Sequence, residues 1–269
     1  MAKHAKVRHR YLKRTHDSKG EEKKDSKLRG VIFFIFLIVF LFSTINLIRW
    51  AIYNKKSSDV IEDIIEESFT EPVNQSENEV VSKNPVDFAS LEEINSDSVA
   101  WIKIAGTSIN YPIVQTTDND YYLHNDIYKK YSTCGWIFMD FKNHEDFIDK
   151  NTVIYGHNIK SGLMFADLQK IYRNELGNEV TIEIYTPKEK LNYRVFSCYM
   201  KEPDDYAIKS NLVEESDQEK YIKEMLNRTS IVYNIVPDKT DKLLTLSTCD
   251  STGKNRILVH SVYVGGEKF

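Results

Sequence analysis

Cys249 and Arg256 carry the most specific chemistry in the sequence. They flank the turn-like segment Asp250–Asn255 (DSTGKN), which separates two runs rich in β-branched and apolar residues, Lys242–Thr248 and Arg256–Val264. That pattern predicts an antiparallel hairpin, and the pairing sets Cys249 opposite Arg256. Directly opposed residues in such a pair share a face with Cβ atoms about 4.5–5.5 Å apart, so a thiol and a guanidinium meet at one rim of the sheet. A neighbouring cation favours thiolate, the nucleophilic form. The same guanidinium can donate hydrogen bonds to an oxyanion, which suits the pair to acyl transfer.

Acyl transfer between amines also needs a proton carrier, and seven histidines compete for the role. His4, His9 and His16 belong to a basic N-terminal block that a membrane span sets apart, as argued below. His260 shares the Arg256 face by alternation, but four residues along a strand is roughly 13 Å, too far from the rim. His124 and His144 sit in polar stretches with no element to aim them. His157 follows the apolar run TVIY and a glycine within YGHN, a strand end from which a loop can project it over a rim. A lone histidine at a strand end is more often structural or solvated than catalytic, so pattern by itself gives His157 only a lead. No Asp or Asn stands evidently placed to orient it. The order His before Cys is opposite to that of papain-like enzymes, which disfavours a papain-type hydrolase.

Eight short segments rich in β-branched and aromatic residues must position these groups: Val99–Ile104, Ile109–Val114, Trp136–Met139, Thr152–Tyr155, Val180–Tyr185, Leu191–Tyr199, Lys242–Thr248 and Arg256–Val264. Read as strands they make a mainly β domain, a barrel or a sandwich. Helical spacing predicts one helix near Gly162–Tyr172, with Leu163, Met164, Leu168, Ile171 and Tyr172 on one face. A second is expected near Asp217–Asn227, with Tyr221, Met225 and Leu226. Both stripes read as core. The sequence has no internal repeat.

Charge is distributed unevenly. Residues 1–30 hold eleven Lys/Arg and four Asp/Glu, whereas Asp59–Glu79 holds eight Asp/Glu and no Lys or Arg. Between Arg29 and Arg49 lie nineteen uncharged residues, Gly30–Ile48, which as a helix span roughly 28 Å, close to the hydrocarbon thickness of a bilayer. Arg49, Trp50 and Tyr53 follow directly, with no small-residue cleavage site, so the segment reads as a retained anchor. The basic flank then faces the cytoplasm and the remainder lies outside. Residues 1–29 therefore read as a cytoplasmic tail that touches anionic lipid rather than nucleic acid. Residues 30–48 read as the span, and residues 49–84 as a juxtamembrane helix, with Val60, Ile61, Ile64 and Ile65 at helical spacing, followed by the polar linker Thr70–Asn84. A compact domain occupies residues 85–269. Three cysteines, Cys134, Cys198 and Cys249, are too few for a disulfide scaffold, and no pair has metal-ligand spacing. Cys134 and Cys198 read as small buried residues, and no cofactor is implied.

TLSTC at Thr245–Cys249 with Arg256, YGHN at Tyr155–Asn158, and INSDSVAWIKIAGTSINYPIVQTTDNDYYL at Ile94–Leu123 together resemble the sortase family, and most closely its class B. The similarity runs through nearly all of residues 85–269. It implies an eight-stranded β-barrel with short helices behind an N-terminal transmembrane helix. It also implies a cysteine transpeptidase with His157, Cys249 and Arg256 as catalytic residues. Such an enzyme cleaves a C-terminal sorting signal after Thr and joins the surface protein to a peptidoglycan amine through a thioacyl-enzyme. Asn119, Leu123 and Ser247 match pocket positions of class B. Residues Lys201–Ser230 match its insertion beside the substrate groove, where Tyr206 or Ile208 is expected to touch the signal. The partners implied are sorting-signal proteins, a cell-wall amine and the lipid bilayer of a Gram-positive cell. A pilin-polymerising or other-class sortase is an alternative, as is a membrane-tethered barrel that binds without catalysis.

Overall fold

The structure, a computed structural model, describes residues 2–70, 83–202, 208–210, 212, 214–249 and 254–269, with the backbone alone for 2–27 and 249. The chain divides into two compact units, residues 1–56 and 57–269. Helix α1 (Ala2–Ser68) contains the apolar stretch. From Leu28 onward it is long and apolar enough to cross a membrane, with a mean hydropathy of 2.8 in its most apolar window and none of that window buried. The apolar spacing at Val60–Ile65 is the last part of this helix rather than a separate one.

In the second unit, eight strands close into a barrel. They are β1 (Ser98–Ile104), β2 (Asn110–Val114), β3 (Phe138–Met139), β4 (Asn151–Tyr155), β5 (Thr181–Tyr185), β6 (Glu189–Lys201), β7 (Leu243–Cys249) and β8 (Arg256–Lys268). Around the barrel the order is β1-β2-β3-β4-β7-β8-β6-β5. The β1–β5 pairing, Trp101 with Tyr185 through Ile104 with Ile182, closes the ring and decides for a barrel over a sandwich. Two neighbouring pairs run parallel, β2 with β3 and β4 with β7. The expected strands are all present, with β6 and β8 extended to pair along most of their length. Only β3 is markedly shorter. Gly135 adopts φ +54° and the Trp136 amide donates to the Tyr122 carbonyl at 2.8 Å, so the chain joins the sheet later than Trp136.

Alternation along β7 and β8 sorts the apolar residues onto two faces. Leu244, Leu246, Ile257 and Val259 are buried on one face. Leu243, Leu258 and Val262, on the other, pack with Phe196 and Tyr199 beneath α4 (Glu215–Arg228), which contributes Tyr221, Ile222 and Met225. Helix α3 (Leu168–Tyr172) is shorter than the expected Gly162–Tyr172. Met164 has φ +59° and pairs with Asn158 in an isolated bridge, a geometry no helix can contain. A further helix, α2 (Phe88–Ile94), has no clear periodicity but does have a cap. Asp87 accepts from the Ala89 and Ser90 amides at 3.1 and 3.2 Å, and these bonds hold its carboxyl below the usual value.

The end of α1 is part of the folded barrel unit. Ile61, Ile64 and Phe69 are buried, and the Phe69 ring stacks on Trp101 with centroids 5.3 Å apart while Lys103 Nζ lies 5.0 Å over it. Phe69 also bridges to Val86, and the Thr70 amide donates to the Pro85 carbonyl at 2.8 Å. Cys134 and Cys198 are buried and unbridged, and burial pushes the Cys198 thiol well above its ordinary pKa.

Candidate active site

Two strand pairings bring the sequence-selected residues together. β4 and β7 run parallel with Tyr155 beside Ser247, and the Gly156 amide donates to the Ser247 carbonyl at 3.2 Å. Two residues farther along the two chains stand His157 and Cys249. β7 and β8 run antiparallel with Cys249 in register with Arg256, as the hairpin pattern leads one to expect. His157, Cys249 and Arg256 thus occupy the same end of three adjacent strands, and Arg256 is exposed there.

The His157 ring is held by a backbone carbonyl. A 3-10 turn, Tyr121–Leu123, presents the Leu123 carbonyl to the ring, with Nε2 at 3.0 Å. A carbonyl can only accept, so the bond places the neutral ring's proton on Nε2 and leaves Nδ1 with the free lone pair. Asp118 braces the turn by accepting the Asp120 and Tyr121 amides, each at 2.8 Å, and these bonds hold its carboxyl below the usual range. Gly135 leaves the space this arrangement needs. A Cβ there would lie 2.5 Å from the Tyr122 carbonyl oxygen, 2.8 Å from that of Leu123 and 3.0 Å from His157 Cδ2, at a φ that itself favours glycine. Leu123 therefore reaches the site through its backbone.

Asn119 lies in the same loop with both ends of its amide engaged. Nδ2 donates to Asp140 Oδ2 at 3.1 Å, and Oδ1 accepts the Phe141 amide at 3.0 Å. Asp140, buried at the end of β3, also accepts the Tyr155 hydroxyl at 3.0 Å and the Lys142 amide at 3.0 Å. Burial, reinforced by the Asp140 charge, keeps the Tyr155 phenol protonated. Nothing in the sequence marks Asp140: a lone Asp after FM has no motif, and its partners are distant in the chain.

Ser247 is buried on the Cys249 side of β7, and its Oγ has no hydrogen-bond partner among the described residues. Tyr206 lies outside the described residues. Ile208 is half-buried against the cluster beneath α4. The segment that contains it is tied down by two buried asparagines. Asn151 Nδ2 donates to the Lys209 carbonyl at 2.8 Å and Asn143 Nδ2 to the Ser210 carbonyl at 3.4 Å. Asn151 Oδ1 in turn accepts the Thr245 hydroxyl of β7 at 2.9 Å, and Asn143 Oδ1 accepts the Val153 amide of β4 at 2.9 Å. β4 and β7, which lead to His157 and Cys249, are therefore clasped to the β6–β7 connection. His260 closes the network, with Nδ1 3.0 Å from Thr245 Oγ1 and Nε2 3.2 Å from the Tyr199 hydroxyl. Full burial, then the charges of Arg228 and Lys201, push its pKa down to about 3, so it is neutral and structural. Among the described residues no group of three or more His, Cys, Asp and Glu could hold a metal ion.

Residues 102–264, more than half of the chain, match the Sortase domain family model. Sortase B of Listeria monocytogenes is 38% identical over 162 residues, covering 60% of this chain and 66% of that protein. Sortase B of Staphylococcus aureus is 34% identical over 164 residues, covering 61% of this chain and 67% of that protein. The chain thus matches about two thirds of the length of these relatives. A Staphylococcus aureus sortase B–substrate complex superposes with a TM-score of 0.66 at 28% identity, over 79% of this chain and 98% of that one. With the closed eight-stranded barrel, these matches identify the chain as a member of the sortase family of cysteine transpeptidases, and its relatives within that family are sortases B.

Proposed function

We propose that this chain is a membrane-anchored class B transpeptidase in which Cys249, His157 and Arg256 are the catalytic residues. The observation that carries the reading is the register of β4, β7 and β8, which brings Cys249 and Arg256 to one rim and leads the chain from β4 to His157 two residues beyond its end. The Cys249 thiolate attacks the carbonyl carbon of a Thr in the sorting signal, forming a C–S bond and moving an electron pair onto the oxygen. Arg256 donates hydrogen bonds to that oxyanion. As the tetrahedral intermediate collapses, the C–N bond breaks and the departing amine takes a proton from imidazolium His157. A cell-wall amine then gives its proton to His157 Nδ1 as it attacks the thioacyl carbon. The C–S electron pair returns to sulfur, and a new amide is released.

Asn119, Leu123 and Ser247 form part of the signal pocket in this reading. The unpartnered Ser247 hydroxyl gains a partner from the peptide backbone, and Leu123 and Asn119 hold the wall beside His157. The connection between β6 and β7 forms the opposite wall and brings Tyr206 or Ile208 to the signal. The substrate-bound state of the Staphylococcus aureus neighbour supports a groove of this kind in the shared fold. Residues 30–48 span the membrane with the basic tail 1–29 in the cytoplasm, residues 49–84 lead outward, and residues 85–269 catalyse at the outer face, where sorting-signal proteins and peptidoglycan amines meet. The test is to incubate the full-length protein in detergent with a library of sorting-signal pentapeptides and an amine, and to identify products by mass spectrometry. Cleavage after Thr with transfer to the amine is expected, and its loss in Cys249→Ala. Unchanged turnover in Cys249→Ala excludes Cys249 as the nucleophile.

A further inference from the structure

Asp140 is only 5% exposed, just beyond β3, and its own backbone is fixed on both sides. Its amide donates to the Val153 carbonyl at 2.9 Å, and its carbonyl accepts Gln115 Nε2 at 2.8 Å. The carboxylate so placed meets three neutral donors: the Lys142 amide on Oδ1, and Asn119 Nδ2 and the Tyr155 hydroxyl on Oδ2. Asn119 and Tyr155 are half-buried, so water can satisfy their polar ends. The fold therefore gains little from a buried anion, which costs more to desolvate than a neutral group. What the carboxylate adds is a fixed orientation. A phenol has one hydroxyl hydrogen, and Tyr155 spends it on Asp140, which leaves only lone pairs for a ligand. Asn119 spends one Nδ2 hydrogen on Asp140 and one Oδ1 lone pair on the Phe141 amide, so its amide cannot turn over.

We propose that Asp140 is a positioning residue for the sorting signal, setting Asn119 and Tyr155 in one orientation so that Tyr155 presents an acceptor to the signal and Asn119 a donor. This rests on the class B reading, which puts Asn119 and Ser247 in the signal pocket. Tyr155 joins them because it stands in register with Ser247, whose buried hydroxyl has no partner among the described residues. The Tyr155 phenol also lies within the field of Arg256, which acts on it after burial and Asp140. Groups ordered in advance strengthen binding, because the ligand no longer has to order them. The loss of Asp140 is therefore felt first in KM.

The test is a double-mutant cycle on the full-length protein in detergent, assayed with the signal peptide that the library shows to be cleaved best. Asp140→Ala is expected to lower kcat/KM roughly 5- to 30-fold, the size of two lost orienting hydrogen bonds, with most of the change in KM. Alkylation of Cys249 by iodoacetamide, followed on its own peptide by mass spectrometry, should stay within about 2-fold of wild type, because the thiol site is not moved. In an Asn119→Ala/Tyr155→Phe background the same substitution should change kcat/KM by less than about 2-fold, since both intermediaries are gone. A purely structural Asp140 gives the full loss in both backgrounds, and that result overturns the proposal. So does an alkylation rate that falls in step with kcat/KM, or an Asp140→Ala kcat/KM equal to that of wild type. If Asp140→Ala does not fold, Asp140→Asn carries the same cycle and the same refutations, because its NH2 must face one of the three donors. An Asn119→Ala/Tyr155→Phe protein with unchanged KM for the signal instead overturns the pocket reading on which the proposal rests, a failure recognisable with Asp140 intact.

Discussion

Replacing Gly135 with alanine should damage the reaction more than the fold, because the added methyl meets the support of His157. The cost to the fold has two parts. A left-handed φ of +54° disfavours a Cβ by about 1–2 kcal/mol. The new atom would also stand 2.5 Å from the Tyr122 oxygen and 2.8 Å from the Leu123 oxygen, so the carbonyls must retreat by about 0.9 and 0.6 Å to reach ordinary contact. The bond from His157 Nε2 to Leu123 is 3.0 Å. Such a retreat stretches it beyond hydrogen-bonding range, with the loss of about 1 kcal/mol. Together these give a destabilisation of about 2–3 kcal/mol, which a domain of this size registers as a Tm lower by roughly 4–12 °C. The rate should fall further, since displacing a catalytic group by about 1 Å can cost 100-fold. The assay pairs thermal unfolding with kcat for signal cleavage and with 15N NMR of the His157 ring. A Gly135→Ala protein with kcat within about 3-fold of wild type, and with the Nε2–H tautomer still populated, would refute the role given to the Leu123 carbonyl.

Other expectations concern separate parts of the molecule. Arg256→Lys should lose most of kcat while keeping the fold, because one ammonium cannot reproduce the planar donor fork; near-normal kcat would remove Arg256 from the oxyanion. Asn151→Ala frees the Lys209 carbonyl and the Thr245 hydroxyl, and should raise KM for the signal peptide several-fold with a smaller change in kcat. If KM is unchanged, the β6–β7 connection is not a wall of the groove. Buried His260 makes stability depend on pH. Below about pH 6.5 the unfolded chain takes up a proton that the folded chain refuses until about pH 3. Stability is therefore flat in this respect above pH 6.5, and falls by up to about 1.4 kcal/mol per unit between 6.5 and 3. Urea unfolding across that range should show a slope one proton steeper in wild type than in His260→Gln, and equal slopes would mean that His260 is not buried neutral.

The strands were legible because β-branched runs interrupted by turn residues leave few other choices. The Cys249–Arg256 register followed from a short local turn. His157 was harder, since the pairing of β4 with β7 is parallel and joins segments far apart in the chain, with no local turn to report it. What orients the ring could not be read at all. Its partner is a main-chain carbonyl, which every residue carries, and the space around it is set by the absence of a side chain at Gly135. Asp140, Asn143 and Asn151 were invisible for a related reason. Each is a single polar residue whose importance lies in partners assembled by folding. Helix spacing misled at Gly162–Tyr172, where apolar residues buried by a bridge and a turn imitate a helical stripe.

The covalent intermediate tests the assignment most directly. Full-length protein mixed with a sorting-signal peptide and no added amine, quenched in acid within milliseconds to seconds and digested, should carry the N-terminal part of the signal as a thioester on the peptide containing Cys249. The adduct should disappear when a cell-wall amine is added and be absent from Cys249→Ala. An adduct on Cys134 or Cys198, or turnover with no acyl group on Cys249 at any time, would contradict a thioacyl-enzyme at the end of β7.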